Sequence, residues 1–249
     1  MAKSSKSAKS ERQALIDSAM KKQRSAEKRQ SNLIVGIAVL IGLGLIGAAA
    51  YQPIKSAFDE SEYAGVEIAE VGAAASVCQD ITTETATDVN NHVPQGQEVT
   101  YDFAPPAFGP HWNVAGVAPA PFTDKFYDAD DRPPLEALVH NLEHGYTILW
   151  YDETVADDAS QMSQIRAIAK KFDLDDTNFR LKFIAAPWTS DDEDGAAFPD
   201  GQHVAFTHWK GDETQSTGVT QYCSETSGAA LESFMAEYPY TDAPEAGAI

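Results

Sequence analysis

The residues with the clearest chemical potential in this sequence form the run His140-Asn141-Leu142-Glu143-His144. Each residue of a helix advances by about 100°, so two histidines four positions apart lie on one face and their rings can converge. Paired imidazoles bind Zn and Cu, and Glu143 offers a third ligand, a base or an acceptor for a ligand's N–H group. The run therefore predicts a metal site. The alternative that the sequence leaves open is a pair of ordinary helix histidines beside a solvated glutamate.

A third imidazole is needed nearby, and His111 is the first choice. It follows a loop rich in proline and glycine, residues 104–110, which we expect to be ordered only if something anchors it. Three other histidines remain as alternatives: His92, His203 and His208. His203 and His208 fall on one predicted strand at an odd spacing, so they point to opposite faces and at most one of them can join a given site.

The chemistry of this ligand set favours one Zn or Cu(II) ion over Mg or Ca, because neutral imidazoles suit transition metals and hard ions prefer oxygen. The sequence has no cluster rich in Met or Cys, which argues against delivery of Cu(I). The acidic run 191–194 lacks the spaced ligands of a calcium loop, and we expect a solvated turn there.

The order His-x-x-Glu-His is also the inverted zinc-protease signature, in which two histidines bind zinc and the glutamate activates water. We do not favour a protease, because Gly145 ends the predicted helix directly after the motif and a strand follows. The sequence contains no Gly-x-Ser-x-Gly elbow and no phosphate-binding loop.

The elements that position these residues follow from hydrophobic periodicity. Apolar residues at helical spacing after Pro134 predict a helix from Leu135 to Gly145, with its apolar stripe roughly opposite the two histidines. The run YTILWY that follows predicts a buried strand. Further strands are predicted at 98–103, 180–186 and 203–209, and further helices at 158–172 and 229–238. Strands and helices alternate only loosely, so we expect an α+β domain with a mixed sheet and a few packed helices.

Charge and hydropathy divide the chain into two parts. Residues 1–31 hold nine Lys or Arg and three Asp or Glu, whereas the whole chain has a formal net charge of −20. The segment 33–50, LIVGIAVLIGLGLIGAAA, is uncharged, and a helix of this length at about 1.5 Å per residue approaches the ~30 Å hydrocarbon core of a bilayer. We expect an uncleaved transmembrane anchor. A cleaved signal peptide, whose apolar core usually spans about 7–15 residues, is the alternative.

The distribution of basic residues orients this anchor. Lys55 is the only Lys or Arg between residues 51 and 120, so we expect the N-terminus in the cytoplasm and the rest of the chain outside the cell membrane. The acidic excess excludes nucleic acid as a partner. The expected divisions are a cytoplasmic basic tail (1–32), a transmembrane helix (33–51), a tether (52–77), an extracytoplasmic α+β domain (78–240) and a flexible tail (241–249).

Cys78 and Cys223 are the only cysteines, and they lie near the two ends of the expected external domain. An oxidising exterior would allow them to form a disulfide. Two unpaired buried thiols are the alternative.

The proline loop and the histidine helix together resemble a family common in actinobacteria, the domain of unknown function 3105. The resemblance covers about residues 78–225 and departs from the usual pattern at Ala107 and Phe108, where the family has small hydroxylated residues. The segments that carry it are His92-Val93-Pro94, Pro105-Pro106, Gly109-Pro110-His111-Trp112, Val139–Gly145 and Val204–Trp209. Membership would imply one N-terminal membrane span and an external domain, but it would not imply an activity.

Three functions therefore stand as hypotheses. The favoured one is a membrane-anchored external domain with a metal pocket built from His111, His140, His144 and Glu143. The second is a non-catalytic accessory subunit of a larger respiratory or transport complex of the cell envelope, in which the motif only fixes the loop against the helix. The third is a metal-dependent hydrolase, which requires an open coordination position.

Overall fold

The structure is a computed structural model that describes residues 20–24, 28, 33–35, 37, 39–47, 63–86, 91–114, 124–173, 182–192, 196–212 and 215–247. The chain divides into two compact units, Met1–Phe58 and Asp59–Ile249.

The described residues of the first unit are helical, and the large apolar side chains between Leu33 and Ile46 are at least half exposed. Among the helices that can be described, none combines the length and the apolar character that crossing a bilayer requires. Positions 36, 38 and 48–51 of the expected transmembrane helix lie outside the described residues.

The second unit contains seven described strands: β1 (Thr82–Ala86), β2 (His92–Val93), β3 (His111–Trp112), β4 (Thr147–Tyr151), β5 (Phe183–Pro187), β6 (Val204–Gly211) and β7 (Ser216–Cys223). Five of them form a sheet in the order β1-β7-β6-β4-β5, in which β4 and β5 are parallel and the other neighbours are antiparallel. The strands β2 and β3 form a separate parallel pair. The expected α+β class with a mixed sheet is confirmed.

The helices of this unit are α1 (Leu135–Glu143), α2 (Glu153–Ala156), α3 (Ala159–Asp173) and α4 (Gly228–Glu237), with 3-10 turns at Ile68–Glu70, Ala75–Val77, Ser190–Asp192 and Tyr240–Asp242. Side chains cap the N-termini of three helices. Asp158, directly before α3, accepts hydrogen bonds from the amides of Ser160 and Gln161. Asp152 accepts a hydrogen bond from the Val155 amide, and Ser227 accepts one from the Ala230 amide. Such caps satisfy backbone donors that have no partner inside the helix.

Both faces of the sheet are buried. Along β4, Leu149 and Tyr151 pack into one core with α3 and α4, while Ile148 and Trp150 pack into the other with α1. Successive side chains of a strand point to opposite faces, so a strand covered on both sides has an unbroken apolar sequence. This is why the apolar run of β4 was visible in the sequence.

One predicted strand is wrong. Residues 98–103 form no regular strand, because their polar groups bond to side chains and loops instead of a neighbouring strand. The Val99 amide donates to Glu136 Oε1 at 2.8 Å, and the Tyr101 hydroxyl donates to the Pro110 carbonyl at 2.7 Å. The first bond fastens this segment to α1, and the second fastens it to the proline loop.

The packed domain extends beyond the expected boundaries of 78 and 240. Val71 is fully buried, with Tyr63, Val66 and Ile68 packed against the same core, so the described part of the expected tether belongs to the domain. At the other end the expected flexible tail is packed as far as it is described. Its Glu245 amide donates to the carbonyl of Glu143 at 2.9 Å.

The expected disulfide between Cys78 and Cys223 is confirmed. It joins the end of the second 3-10 turn to the last residue of β7 and closes a separation of 145 residues.

Candidate metal centre

Helix α1 brings three of the candidate residues to its C-terminal end. Pro134 precedes the helix, and its carbonyl accepts hydrogen bonds from the amides of the first turn. His140, Glu143 and His144 are 3%, 0% and 5% exposed, although they lie opposite the apolar stripe that packs on the sheet. Helix α1 is therefore buried on both faces, and the second face is covered by the proline loop and the C-terminal segment.

Strand pairing delivers two more histidines to this covered face. His92 on β2 is the register partner of His111 on β3, and the His111 amide donates to the carbonyl of Asn91. Contacts with the preceding segment hold the loop that leads into His111: the Tyr101 hydroxyl donates to the Pro110 carbonyl, and the Trp112 indole donates to the carbonyl of Gln97 at 2.8 Å. Gly109 has φ +141°, and a Cβ there would lie 2.9 Å from the Tyr101 ring, so the turn into His111 requires glycine.

The structure brings His92, His111, His140 and Glu143 together. Each offers one ligand atom, and the four atoms all lie within 4.8 Å of one another. The rings of His111 and His140 stack with centroids 5.2 Å apart, and His92 meets His111 edge-on at 4.9 Å. His92 is the exposed member, with 35% of its side chain accessible, whereas Glu143 and His111 are fully buried.

The hydrogen bonding of His111 fixes which nitrogen faces this cluster. Nδ1 lies 2.8 Å from the carbonyl oxygen of Gly109, and a carbonyl can only accept, so Nδ1 carries the proton. In the neutral ring, Nε2 then presents its lone pair. This atom lies 2.8 Å from Glu143 Oε2 and is buried without a hydrogen-bond partner among the described residues. A main-chain carbonyl that sets the tautomer in this way is typical of metal-binding histidines.

Burial keeps the imidazoles of α1 neutral. Desolvation lowers the pKa of His140 to about 3, and the neighbouring His144 and His111 rings reinforce the shift. Desolvation also lowers the pKa of His144 to about 4, with Glu143 opposing the shift and Lys182 reinforcing it. Neutral imidazole is the form that binds a metal ion.

Glu143 remains the anion of the cluster. Burial raises the pKa of its carboxyl, but a hydrogen bond from the His111 ring and the positive charge that the His111, His92 and His140 rings carry when protonated outweigh that effect and bring the pKa below its ordinary value. The cluster therefore combines a buried carboxylate with buried neutral imidazole donors, which matches the nitrogen and oxygen ligands that zinc and copper(II) take in proteins.

His144 does not join the four-residue cluster in the described residues. Its ring lies beside that of His140, with centroids 4.2 Å apart, but its ligand atom groups with Glu143 and Glu245. His92, an alternative in the sequence, occupies the place we expected for His144. Glu245 carried no signal in the sequence, since it is an isolated acidic residue near the end of an acidic chain.

The remaining two histidines are engaged elsewhere. His203 lies 2.7 Å from the Asp152 carboxylate at the surface. His208 is fully buried, with Nε2 2.7 Å from Asp242 and Nδ1 3.2 Å from the carbonyl of Tyr146. Within the described residues neither belongs to a possible metal group. His203 lies directly before β6 and not on it, so the two histidines do not share a strand as the sequence predicted.

The arrangement also differs from the inverted zinc-protease signature. That signature uses both histidines of one helix as ligands and leaves the glutamate to act on water. Here Glu143 belongs to the same ligand group as His140, and His144 is placed in the other group. The geometry thus agrees with the reasons from sequence for not favouring a protease.

Comparison with known proteins finds a family match. Residues 92–249 match the family described as "Protein of unknown function (DUF3105)". No curated protein and no solved structure matches the chain. The matched region begins at His92 and includes every residue of both ligand groups. The family match covers more than half of the chain, so the protein belongs to the DUF3105 family.

Proposed function

We propose that the folded unit is a metal-binding domain that holds one Zn or Cu(II) ion between His92, His111, His140 and Glu143. The observation that carries the proposal is the approach of His111 Nε2 to Glu143 Oε2 at 2.8 Å. The Gly109 carbonyl accepts a hydrogen bond from the other ring nitrogen, so in the neutral ring a lone pair and a carboxylate oxygen face each other in a buried place. A cation between them would bind both.

Burial explains why such a cluster needs an occupant. His111 Nε2 and His140 Nδ1 are buried and have no hydrogen-bond partner among the described residues. An unsatisfied buried polar atom costs about 1–3 kcal/mol, so native structures rarely keep several of them in one place. Coordination by a metal ion would satisfy the nitrogen lone pairs and neutralise the charge of Glu143.

The separation of the ligand atoms and the number of ligands favour metal binding over metal-dependent catalysis. Zn–N bonds of about 2.0–2.1 Å place tetrahedral ligand atoms roughly 3.4 Å apart. The separations here lie on both sides of that value, from 2.8 Å between His111 and Glu143 up to a limit of 4.8 Å, so small side-chain shifts would form the shell. Four protein ligands fill a tetrahedral shell, whereas a catalytic zinc keeps a position for water. We therefore place metal binding before hydrolysis.

We also propose that this domain lies outside the cell membrane and that residues 33–50 anchor it. The segment is uncharged, and its described apolar side chains are exposed, as expected for residues whose solvent is lipid. The Cys78–Cys223 disulfide fits an oxidising compartment. Protease treatment of intact spheroplasts tests the location: the domain should be digested while a tag at residue 1 is protected, and the reverse pattern would contradict the proposal.

Metal binding is tested on the full chain in detergent, purified without a histidine tag and treated with a chelator. Calorimetric titration with Zn and Cu(II) at pH 7 should show one tightly bound metal ion per chain, and His140→Ala should abolish this binding. His203→Ala is the matched control, because His203 also pairs with a carboxylate but lies outside both groups. A wild-type chain that binds neither metal would overturn the proposal.

A further inference from the structure

A second group of ligands adjoins the first and shares Glu143 with it. Ligand atoms of Glu143, His144 and Glu245 lie within 4.8 Å of one another, and His144 Nε2 is 3.4 Å from Glu245 Oε2. Glu143 and His144 are buried, and the Glu245 side chain is 34% exposed. The two groups therefore lie side by side, and each has one partly exposed member, His92 in the first and Glu245 in the second.

The chain is built to hold Glu245 in this place. Its amide donates to the carbonyl of Glu143, and Lys182 Nζ donates to the carbonyls of His144 and Ala246. Gly145 has φ +95°, and a Cβ at this position would lie 2.4 Å from the carbonyl oxygen of Tyr240, so the C-terminal segment crosses directly over the end of α1. These bonds bring a second carboxylate close to the buried Glu143.

His144 supplies an independent sign that this place takes a ligand. The residue is 5% exposed, its Nδ1 is buried without a hydrogen-bond partner among the described residues, and its Nε2 lies 3.4 Å from Glu245 Oε2. The ring therefore places its nitrogen atoms beside two carboxylates. That combination is the donor set of a transition-metal ion, in the same chemical class as the first group.

We propose that Glu143, His144 and Glu245 hold a second divalent transition-metal ion, so that the Glu143 carboxylate bridges a binuclear centre. The inference rests on the proposed function, because the first ion occupies the other group. Two-metal sites in proteins place their ions about 3.5–4 Å apart. Each oxygen of a single carboxylate can serve one of the ions.

The two ions should bind in sequence. The first group has Glu143 and three imidazoles, whereas the second has one carboxylate of its own, one imidazole and the ammonium of Lys182 nearby. The positive charge of Lys182 and of the first ion both repel the second ion. We therefore expect the second ion to bind more weakly and to exchange through the side where Glu245 is exposed.

The stoichiometry of binding tests this inference. The chelator-treated full chain is titrated with Co(II), and bound metal is counted by elemental analysis after gel filtration. Wild type should bind two equivalents in two steps. Glu245→Gln and the double variant His144→Ala/Glu245→Gln should bind one, with the first step changed less than about threefold, while His203→Ala should bind two.

Electron paramagnetic resonance of the Cu(II) form gives a second measurement that does not depend on the variants. Two Cu(II) ions bridged at this distance couple, so the integrated signal of wild type should fall as the second equivalent binds, and the signal of Glu245→Gln should not. One equivalent in wild type, or a second equivalent that is uncoupled or survives the double variant, would overturn the binuclear centre and leave the proposed function intact. The absence of any bound metal would overturn both.

Discussion

His111 Nε2 and Glu143 Oε2 lie 2.8 Å apart inside the domain, and both atoms are acceptors when the imidazole is neutral. The Gly109 carbonyl accepts a hydrogen bond from Nδ1, so a neutral His111 has no proton on the side that faces Glu143. In that form the contact is unfavourable in the metal-free protein and favourable around a cation. The contact between these two residues therefore lowers the stability of the metal-free protein and raises its affinity for a metal ion.

Replacement of Glu143 by Gln is the direct test of this relationship. The amide group of Gln can donate a hydrogen bond to His111 Nε2 and removes the buried charge, so Glu143→Gln should unfold at the same or a higher urea concentration than wild type when both are metal-free. The variant should also lose more than the roughly 10–100-fold in Zn affinity that changes outside the ligand shell cost.

The opposite pattern would identify a different state of the pair. If His111 is a buried imidazolium paired with the Glu143 carboxylate, Glu143→Gln leaves a buried charge without its partner, and metal-free stability should fall by about 3–5 kcal/mol. Urea unfolding in the presence of a chelator distinguishes the two cases, with His203→Gln as the surface control.

Acid should destabilise the metal-free protein through the histidines of α1. The pKa values of His140 and His144 are lowered to about 3 and about 4, and the unfolded chain titrates near the ordinary value of about 6.5. Below this value the unfolded state binds more protons than the folded state, so the free energy of unfolding decreases as the pH falls from 6.5 towards 4. Urea unfolding at several pH values measures this slope.

The variant His140→Gln identifies the source of the slope. Because the amide does not titrate, the slope of the free energy of unfolding against pH below 6.5 should decrease by the contribution of about one proton. His203→Gln, at the surface beside Asp152, is the control. An unchanged slope in His140→Gln would show that other groups cause the acid sensitivity.

The sequence allowed the central elements of the fold to be predicted because their patterns are strong. The apolar stripe of α1 packs against the sheet, and the unbroken apolar run of β4 follows from burial on both faces of the strand. The strands β1 and β7 were missed. Their sequences, TTETA and STGVTQYC, are rich in Thr, Ser and polar residues, since β1 is largely exposed at the edge of the sheet. Their pairing is fixed by long-range register, which hydropathy does not encode.

The site was predicted in part for a similar reason. The spacing of His140, Glu143 and His144 on one helix is local information, and His111 was found through its unusual loop. The roles of His92 and Glu245 depend on pairing between β2 and β3 and on the return of the C-terminal segment over α1. The sequence also could not show that His144 and His140 belong to different ligand groups. The residues at the end of one helix contribute to two neighbouring groups, and only the structure separates them.

The disulfide should carry a large share of the stability of the domain. It closes a separation of 145 residues, and a loop of that length is worth up to about 5 kcal/mol in the chain-entropy model, with measured losses typically about 2–5 kcal/mol. The double variant Cys78→Ser/Cys223→Ser should lower the free energy of unfolding by an amount in that range. Wild type under reducing conditions should match the variant, and a variant as stable as oxidised wild type would contradict the expectation.

Gly145 should be the glycine at which alanine is least tolerated near the site. Its φ is +95°, and an added Cβ would lie 2.4 Å from the Tyr240 carbonyl oxygen, which belongs to the backbone and cannot turn away. Gly201 is the matched control, because it has φ +73° with no atom within 4 Å of the added Cβ. Gly201→Ala should cost only the left-handed strain of about 1–2 kcal/mol, whereas Gly145→Ala should cost clearly more, because the C-terminal segment must move.

That movement would carry Glu245 away from Glu143, so Gly145→Ala should weaken binding of the second metal ion more than binding of the first. Equal losses of stability in the two variants, measured by urea unfolding, would show that the segment yields without cost and does not hold Glu245 in place.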